Sequence, residues 1–173
     1  MIIAIWGASA TAKTTIARRI ARKLDVPLRS CGEEIRLAAK EANVPPHDAP
    51  DTLHRSVDNA TQEWASRHSS EGAVLEGRFL DQVLADKPDV VLVHATCAQT
   101  IRIERWAGRS GGAFSEHDLA MIDKADDLFR LRMYGSAVKG AAQITLDTSL
   151  GEADHWTDEL LDLIDRSGAR GRD

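Results

Sequence analysis

Cysteine is scarce in this chain: Cys31 and Cys97 are the only two among 173 residues, and they stand far apart. Neither belongs to a Cys-x-x-Cys pair or a Cys/His ligand spacing, so no zinc site is indicated and no disulfide is required. Both read as small buried hydrophobes suited to a reducing cytoplasm. Positive charge is not in excess either. The formal net charge is -5, whereas a protein that binds a nucleic-acid polymer shows a basic face in its composition. No apolar stretch approaches the roughly 20 residues of a membrane helix. The apolar start from Met1 to Trp6 meets a glycine too early for a signal-peptide core. Internal repeats and low-complexity tracts are absent. What is present, 43% hydrophobic and 28% charged residues, is the composition of an ordinary globular protein, and the length fits one domain over residues 1–173.

The order of elements comes from the apolar patterning. Ile2-Ile3-Ala4-Ile5-Trp6 is a continuous apolar run that ends at Gly7, as expected of a strand buried on both faces of a parallel sheet. From Lys13 the period changes. Ile16, Ile20 and Leu24 recur at i, i+4 and i+8 with Arg18, Arg19, Arg22 and Lys23 between them, which predicts an amphipathic helix. Val26–Ser30 predicts a short second strand, Glu33–Asn43 a helix stopping before Pro45-Pro46, and Asp51–His68 a long polar helix. Ala73–Glu76 and Val90–His94 are further buried strands, and Ile144–Leu146 is a weaker fifth. Strands alternating with helices predict a three-layer α/β/α domain on a parallel sheet of about five strands, with ligands at its carboxyl edge. The tail from Ser167 is expected to fray.

Gly7-Ala8-Ser9-Ala10-Thr11-Ala12-Lys13-Thr14 fits the phosphate-loop pattern Gly-x-x-x-x-Gly-Lys-[Ser/Thr] at every position except the second glycine, which is Ala12. A strand turning tightly into a helix aims backbone N–H groups and the positive end of a helix dipole at one point. ATP is therefore the predicted cofactor, held by residues Gly7 to Thr15. Lys13 would reach the β- and γ-phosphates, and the Thr14 hydroxyl would bind Mg2+. An alanine at a position of positive φ costs on the order of 1–2 kcal/mol.

Charged residues at the strand ends complete the candidate site. Glu76-Gly77-Arg78 directly follows a buried strand. Its corner is expected to project a guanidinium that grips a phosphate and a carboxylate, Glu76, that holds magnesium directly or through water. Arg36 follows the turn Ser30-Cys31-Gly32. Arg102, Arg105 and Arg109 recur at i, i+3 and i+7 beside the glycine-rich segment Arg109-Ser110-Gly111-Gly112, which suits a flap closing on the transferring group. His54 and His94 read as packing residues.

With these residues in place, the chain resembles the nucleoside monophosphate kinases, and among them the cytidylate kinase-like proteins. Ser30-Cys31-Gly32-Glu33-Glu34-Ile35-Arg36 is similar to the family's entry into the monophosphate-binding region, and His54-Arg55-Ser56-Val57-Asp58 to the helix that follows. Glu76-Gly77-Arg78 is similar to its acidic-Gly-Arg element. Arg102, Arg105 and Arg109 resemble the start of its lid. Arg130 with Tyr134-Gly135, then Thr145–Ser149, resembles its end. The resemblance implies a helical acceptor-binding region at about 32–70 and a lid at about 102–132. It implies that Gly32, Arg36, Arg55, Asp58, Gly77 and Arg78 bind the acceptor. It also implies that Arg102, Arg105, Arg109 and Arg130 neutralise the transferring phosphoryl group. Two departures stand out. Ala12 replaces a loop glycine, and where the family carries lid arginines this chain has Asp123, Asp126 and Asp127.

The expected activity is ATP-dependent phosphorylation of a small acceptor, foremost a cytidylate-like nucleoside monophosphate. No partner beyond that acceptor is implied, and monomer and dimer stay open. A kinase of the same fold acting on another small molecule is the alternative. If its acceptor is an alcohol, Glu76, Asp58 or Glu33 would take the proton. A nucleotide-binding protein without catalysis is a third reading.

Overall fold

In a computed structural model, residues 1–136 and 139–167 of the chain are described. Five strands form one parallel sheet: β1 (Ile2–Trp6), β2 (Leu28–Ser30), β3 (Ala73–Gly77), β4 (Val90–Thr96) and β5 (Ile144–Asp147), in the order β2-β3-β1-β4-β5. The helices between and after them are α1 (Lys13–Leu24), α2 (Cys31–Glu41), α3 (Asp51–Arg67), α4 (Leu80–Val83), α5 (Gln99–Ser110), α6 (Glu116–Tyr134) and α7 (Ala153–Arg166). The expected α/β/α architecture and all five expected strands are present. β2 begins two residues later than Val26, and α2 begins earlier than Glu33, because the Ser30 side chain accepts from the Glu33 amide and caps the helix. Between β3 and β4 the connection holds only the single turn α4.

Alternation along β1 divides the core in two. Ile3 and Ile5 pack with Ile16, Ile20, Leu160 and Ile164 beneath α1 and α7, while Ile2, Ala4 and Trp6 pack with Leu75, Leu80 and Leu92 on the opposite face. A strand with both faces buried has no polar side to show, so its sequence reads as an unbroken apolar run. Ile20 is wholly buried, and its truncation to alanine would cost about 2–5 kcal/mol. β5 is an edge strand whose residues alternate buried and exposed, which explains its weaker sequence signal.

The parallel register brings the working ends together. Trp6 lies opposite Gly77 on one side and His94 on the other, and Ser30 lies opposite Glu76. The loop after β1 and the corner after β3 therefore share one sheet edge. Ser167 closes α7 as its C-cap, and residues 168–173, the rest of the expected tail, lie outside the described residues. No described helix is long and apolar enough to cross a membrane.

Candidate active site

The segment from Gly7 to Thr14 forms a tight loop between β1 and α1. Gly7 has φ 149°, and a Cβ there would stand 2.3 Å from the Ala95 carbonyl oxygen, so no larger residue fits. Ala10 and Ala12 adopt left-handed conformations, φ 64° and 59°. The position where the pattern asks for glycine thus has the backbone that favours glycine, and alanine occupies it.

Four consecutive loop carbonyls are held by side-chain donors. Lys13 Nζ and Thr11 Oγ1 donate to Ala8 at 2.6 and 3.0 Å, Arg102 Nε to Ser9 at 2.9 Å, Arg105 Nη1 to Ala10 at 3.2 Å and Thr148 Oγ1 to Thr11 at 3.4 Å. Among the described residues no hydrogen bond takes up the amides of Ala8 to Ala12. Ala10, Thr11 and Ala12 are all under a tenth exposed. Buried amides without partners are costly, and an anion at the head of α1 would satisfy them. The loop therefore fits a polyphosphate. Lys13 is 8% exposed, and burial brings its ammonium down from 10.5 to about 8 despite the attraction of Glu76 and Asp126.

From this loop a cleft of about 480 Å³ runs between α2, α3, the β3 corner and the α5–α6 region. Ser9, Ala10, Thr11, Ala12, Lys13 and Thr14 form one end of its lining. Gly32, Arg36, Asp58, Glu76, Gly77, Arg78 and Arg109 line the remainder. Gly7 and Ala8 shape the loop from behind, and Thr15 is exposed outside the cleft. Arg55 is exposed on α3 and does not reach the lining, in contrast to the expectation that it contacts the acceptor. Glu76 is 4% exposed and accepts from the Ser30 hydroxyl. No group of three or more metal-binding side chains occurs among the described residues. Thr14 and Glu76 line the same cleft, so one hydroxyl and one carboxylate are at hand there for a magnesium ion whose remaining ligands would come from phosphate and water.

The four arginines expected in a lid are placed differently from one another. Arg109 lies in the lining. Arg102 grips Asp123 with both Nη groups, at 2.9 and 2.6 Å, while holding the Ser9 carbonyl. Arg105 turns behind the loop, donating to Thr148 at 3.1 and 2.7 Å and lying 5.0 Å from the Trp156 ring centre. Arg130 is 3% exposed and paired with the buried carboxylate of Asp81. Arg102, Arg105 and Arg130, expected to meet the transferring group, do not line the cleft: Arg102 and Arg105 hold the loop carbonyls together with Asp123 and Thr148, and Arg130 holds Asp81.

Several contacts in and around the lining could not be read from the sequence. The Tyr134 hydroxyl donates to Asp58 at 2.9 Å, and burial raises the proton affinity of both groups. Phe79 stacks on Phe129, and His54 meets Phe129 edge-on. Burial, then Arg78, lowers the His54 pKa. Cys31 lines the cleft as an inert thiol, pushed up to about 12 by burial. The Trp106 indole Nε1 is buried without a hydrogen-bond partner among the described residues. Arg78 Nη1 donates to the Asp126 carboxylate at 2.5 Å. Asp58, Tyr134, His54, Cys31 and the acidic run containing Asp126 stand out in the sequence, but their partners do not, and Phe79, Trp106 and Phe129 give no signal there.

Sheet order, loop geometry and cleft together define a P-loop kinase. Residues 3–117 match the family model described as AAA domain. A cytidylate kinase of Pyrobaculum neutrophilum is 31% identical over 160 residues, covering 86% of this chain and 84% of its own. A cytidylate kinase of Pyrobaculum arsenaticum is 29% identical over the same spans. The chain belongs to the P-loop nucleoside monophosphate kinase family, among the cytidylate kinase-like proteins. Its fold is also that of a shikimate kinase from Acinetobacter baumannii solved in complex with shikimate. That match has a TM-score of 0.65 over 95% of this chain and 93% of the other, at 17% identity.

Proposed function

We propose that the chain, acting as one domain over residues 1–173, transfers the terminal phosphoryl group of Mg-ATP to a cytidylate-like nucleoside monophosphate and releases ADP and the diphosphate. The observation that carries this reading is that the phosphate loop and three arginines from separate elements, Arg36, Arg78 and Arg109, line one cleft. Mg-ATP supplies the transferable group and the metal charge. Lys13 and the loop amides hold its phosphates, and Thr14 with Glu76 hold the ion. Arg36 and Arg78 hold the acceptor phosphate against the helical region 32–70, with Gly32 and Gly77 keeping the backbone close and Asp58 on the acceptor wall. Arg109, in the lid at 102–132, adds charge over the transferring group. Arg102 and Arg105 act one step removed, by fixing the loop carbonyls. No general base is needed for an acceptor that is already an anion. Two free thiols suit a cytoplasmic enzyme.

A phosphorus NMR spectrum of the products from Mg-ATP and CMP tests this reading. New β-phosphorus signals of CDP beside ADP support it, and their absence with intact ATP binding counts against it.

The alternative of a hydroxyl-bearing small-molecule acceptor is favoured by one observation, the carboxylate of Asp126 on Arg78. Of the proton acceptors considered for it, Glu76 and Asp58 line the cleft. Glu33 is half-exposed and paired with Arg18 at 2.5 Å, outside it.

A further inference from the structure

Asp123 and Asp126 stand three residues apart on one face of α6 and reach arginines of two different elements, Arg102 on α5 and Arg78, which lines the cleft after β3. Asp123 takes the fork of Arg102, which is itself bound to the phosphate loop through the Ser9 carbonyl. Asp126 takes Arg78, the arginine at the corner after β3. The Asp126 side chain is 16% exposed, and the Arg78 side chain is 45% exposed. Lys13 and Asp126 also act on each other electrostatically.

This arrangement is opposite to what phosphoryl transfer collects. The reaction stabilises developing negative charge with fixed cations, yet a shielded carboxylate stands among Lys13 and Arg78. Asp127, the next residue, is exposed, so the inward carboxylate is a feature of one position and one helical face.

We infer that Asp126 is an internal counter-anion for Arg78. It occupies the acceptor-anion site while no acceptor is present, and it must yield Arg78 when an anionic acceptor enters. The inference rests on the reading of Arg78 as the group that grips the acceptor's phosphate.

Two consequences follow from the chemistry. A carboxylate held beside its arginine competes with any incoming anion without losing translational freedom. A phosphate, with more charge and three acceptor oxygens, displaces it more readily than a single carboxylate from solution does. Asp126 therefore weakens the binding of every anion that must displace it from Arg78, phosphate and carboxylate by a similar factor, and only an anion with a strong hold on Arg78 competes well.

The test is isothermal titration of inorganic phosphate, and separately acetate, into the protein with its loop filled by Mg-AMPPNP. Thermal melts confirm that each variant is folded. Asp126→Asn is expected to tighten phosphate binding by roughly three- to tenfold and acetate binding by a similar factor. Asp126→Ala, which removes the group entirely, shifts binding in the same direction. Arg78→Gln weakens phosphate binding, and combined with Asp126→Asn it cancels the gain. Unchanged or weaker phosphate binding in both Asp126 variants, with Arg78→Gln still weakening it, overturns the inference and makes Asp126 a residue that orients Arg78. Phosphate binding unaffected by Arg78→Gln overturns the reading of Arg78 itself.

Discussion

Arg130 donates to both carboxylate oxygens of Asp81, at 2.5 and 3.2 Å, and its guanidinium lies 5.2 Å from the Phe79 ring centre and 5.9 Å from that of Trp6. Asp81 is fully shielded from solvent and also accepts from the Gly140 amide at 2.7 Å. The pair ties the C-terminal half of α6 to the turn that follows β3.

A role in the scaffold predicts a loss of stability. Removing one partner of a buried ion pair leaves the other charge uncompensated, at a cost of about 3–5 kcal/mol. Arg130→Met is expected to destabilise the fold by that amount in urea denaturation, while kcat of the fraction that remains folded falls little. A large fall in kcat at unchanged stability would return Arg130 to the transferring group.

Lys13 gives a prediction in pH. Burial holds its ammonium at about 8 against an ordinary 10.5, so between these values the folded chain binds fewer protons than the unfolded one. Stability contributed through this group therefore rises as pH increases from about 8 toward 10.5. A bound polyphosphate restores the charge. Mg-ATP binding at pH 8.5 is thus expected to take up a proton, seen as a dependence of the calorimetric enthalpy on buffer ionisation, and the uptake should vanish in Lys13→Met. Identical enthalpies in buffers of different ionisation heat would contradict this.

The loop backbone separates two small substitutions. Gly7→Ala places a methyl group 2.3 Å from the Ala95 oxygen, so loss of ATP binding and a fall in melting temperature are expected. Ala12→Gly relaxes a residue at φ 59°. The relief of about 1–2 kcal/mol exceeds the added freedom of the unfolded chain, about 0.4–1 kcal/mol. Melting temperature should hold or rise, and ATP binding should survive.

Much of this molecule is legible in its sequence, for reasons that differ by element. β1 and β4 announce themselves because a doubly buried strand is apolar throughout, and α1 because Ile16 and Ile20 repeat at the helical period over a buried face. The phosphate loop is local, a few residues whose backbone conformation and chemistry travel together. The arginines are harder to read. Arg102, Arg105 and Arg109 share one face of α5, but spacing fixes only where a side chain starts. Their long stems reach Asp123, Thr148 and the cleft, partners 21, 43 and more residues away or distributed over several elements. Asp81 looks like an ordinary surface charge, and Arg130 like a lid residue, until the fold brings α4 and α6 together across 49 residues of chain.

The most direct test of the account is a coupled assay of ADP release with Mg-ATP against CMP, dCMP, UMP, AMP, GMP and the matching nucleosides, with Lys13→Ala alongside. The account predicts Lys13-dependent turnover on CMP or dCMP, lost on the nucleosides that lack the phosphate. Turnover on none of the monophosphates, with ATP still bound, would contradict the proposed acceptor class.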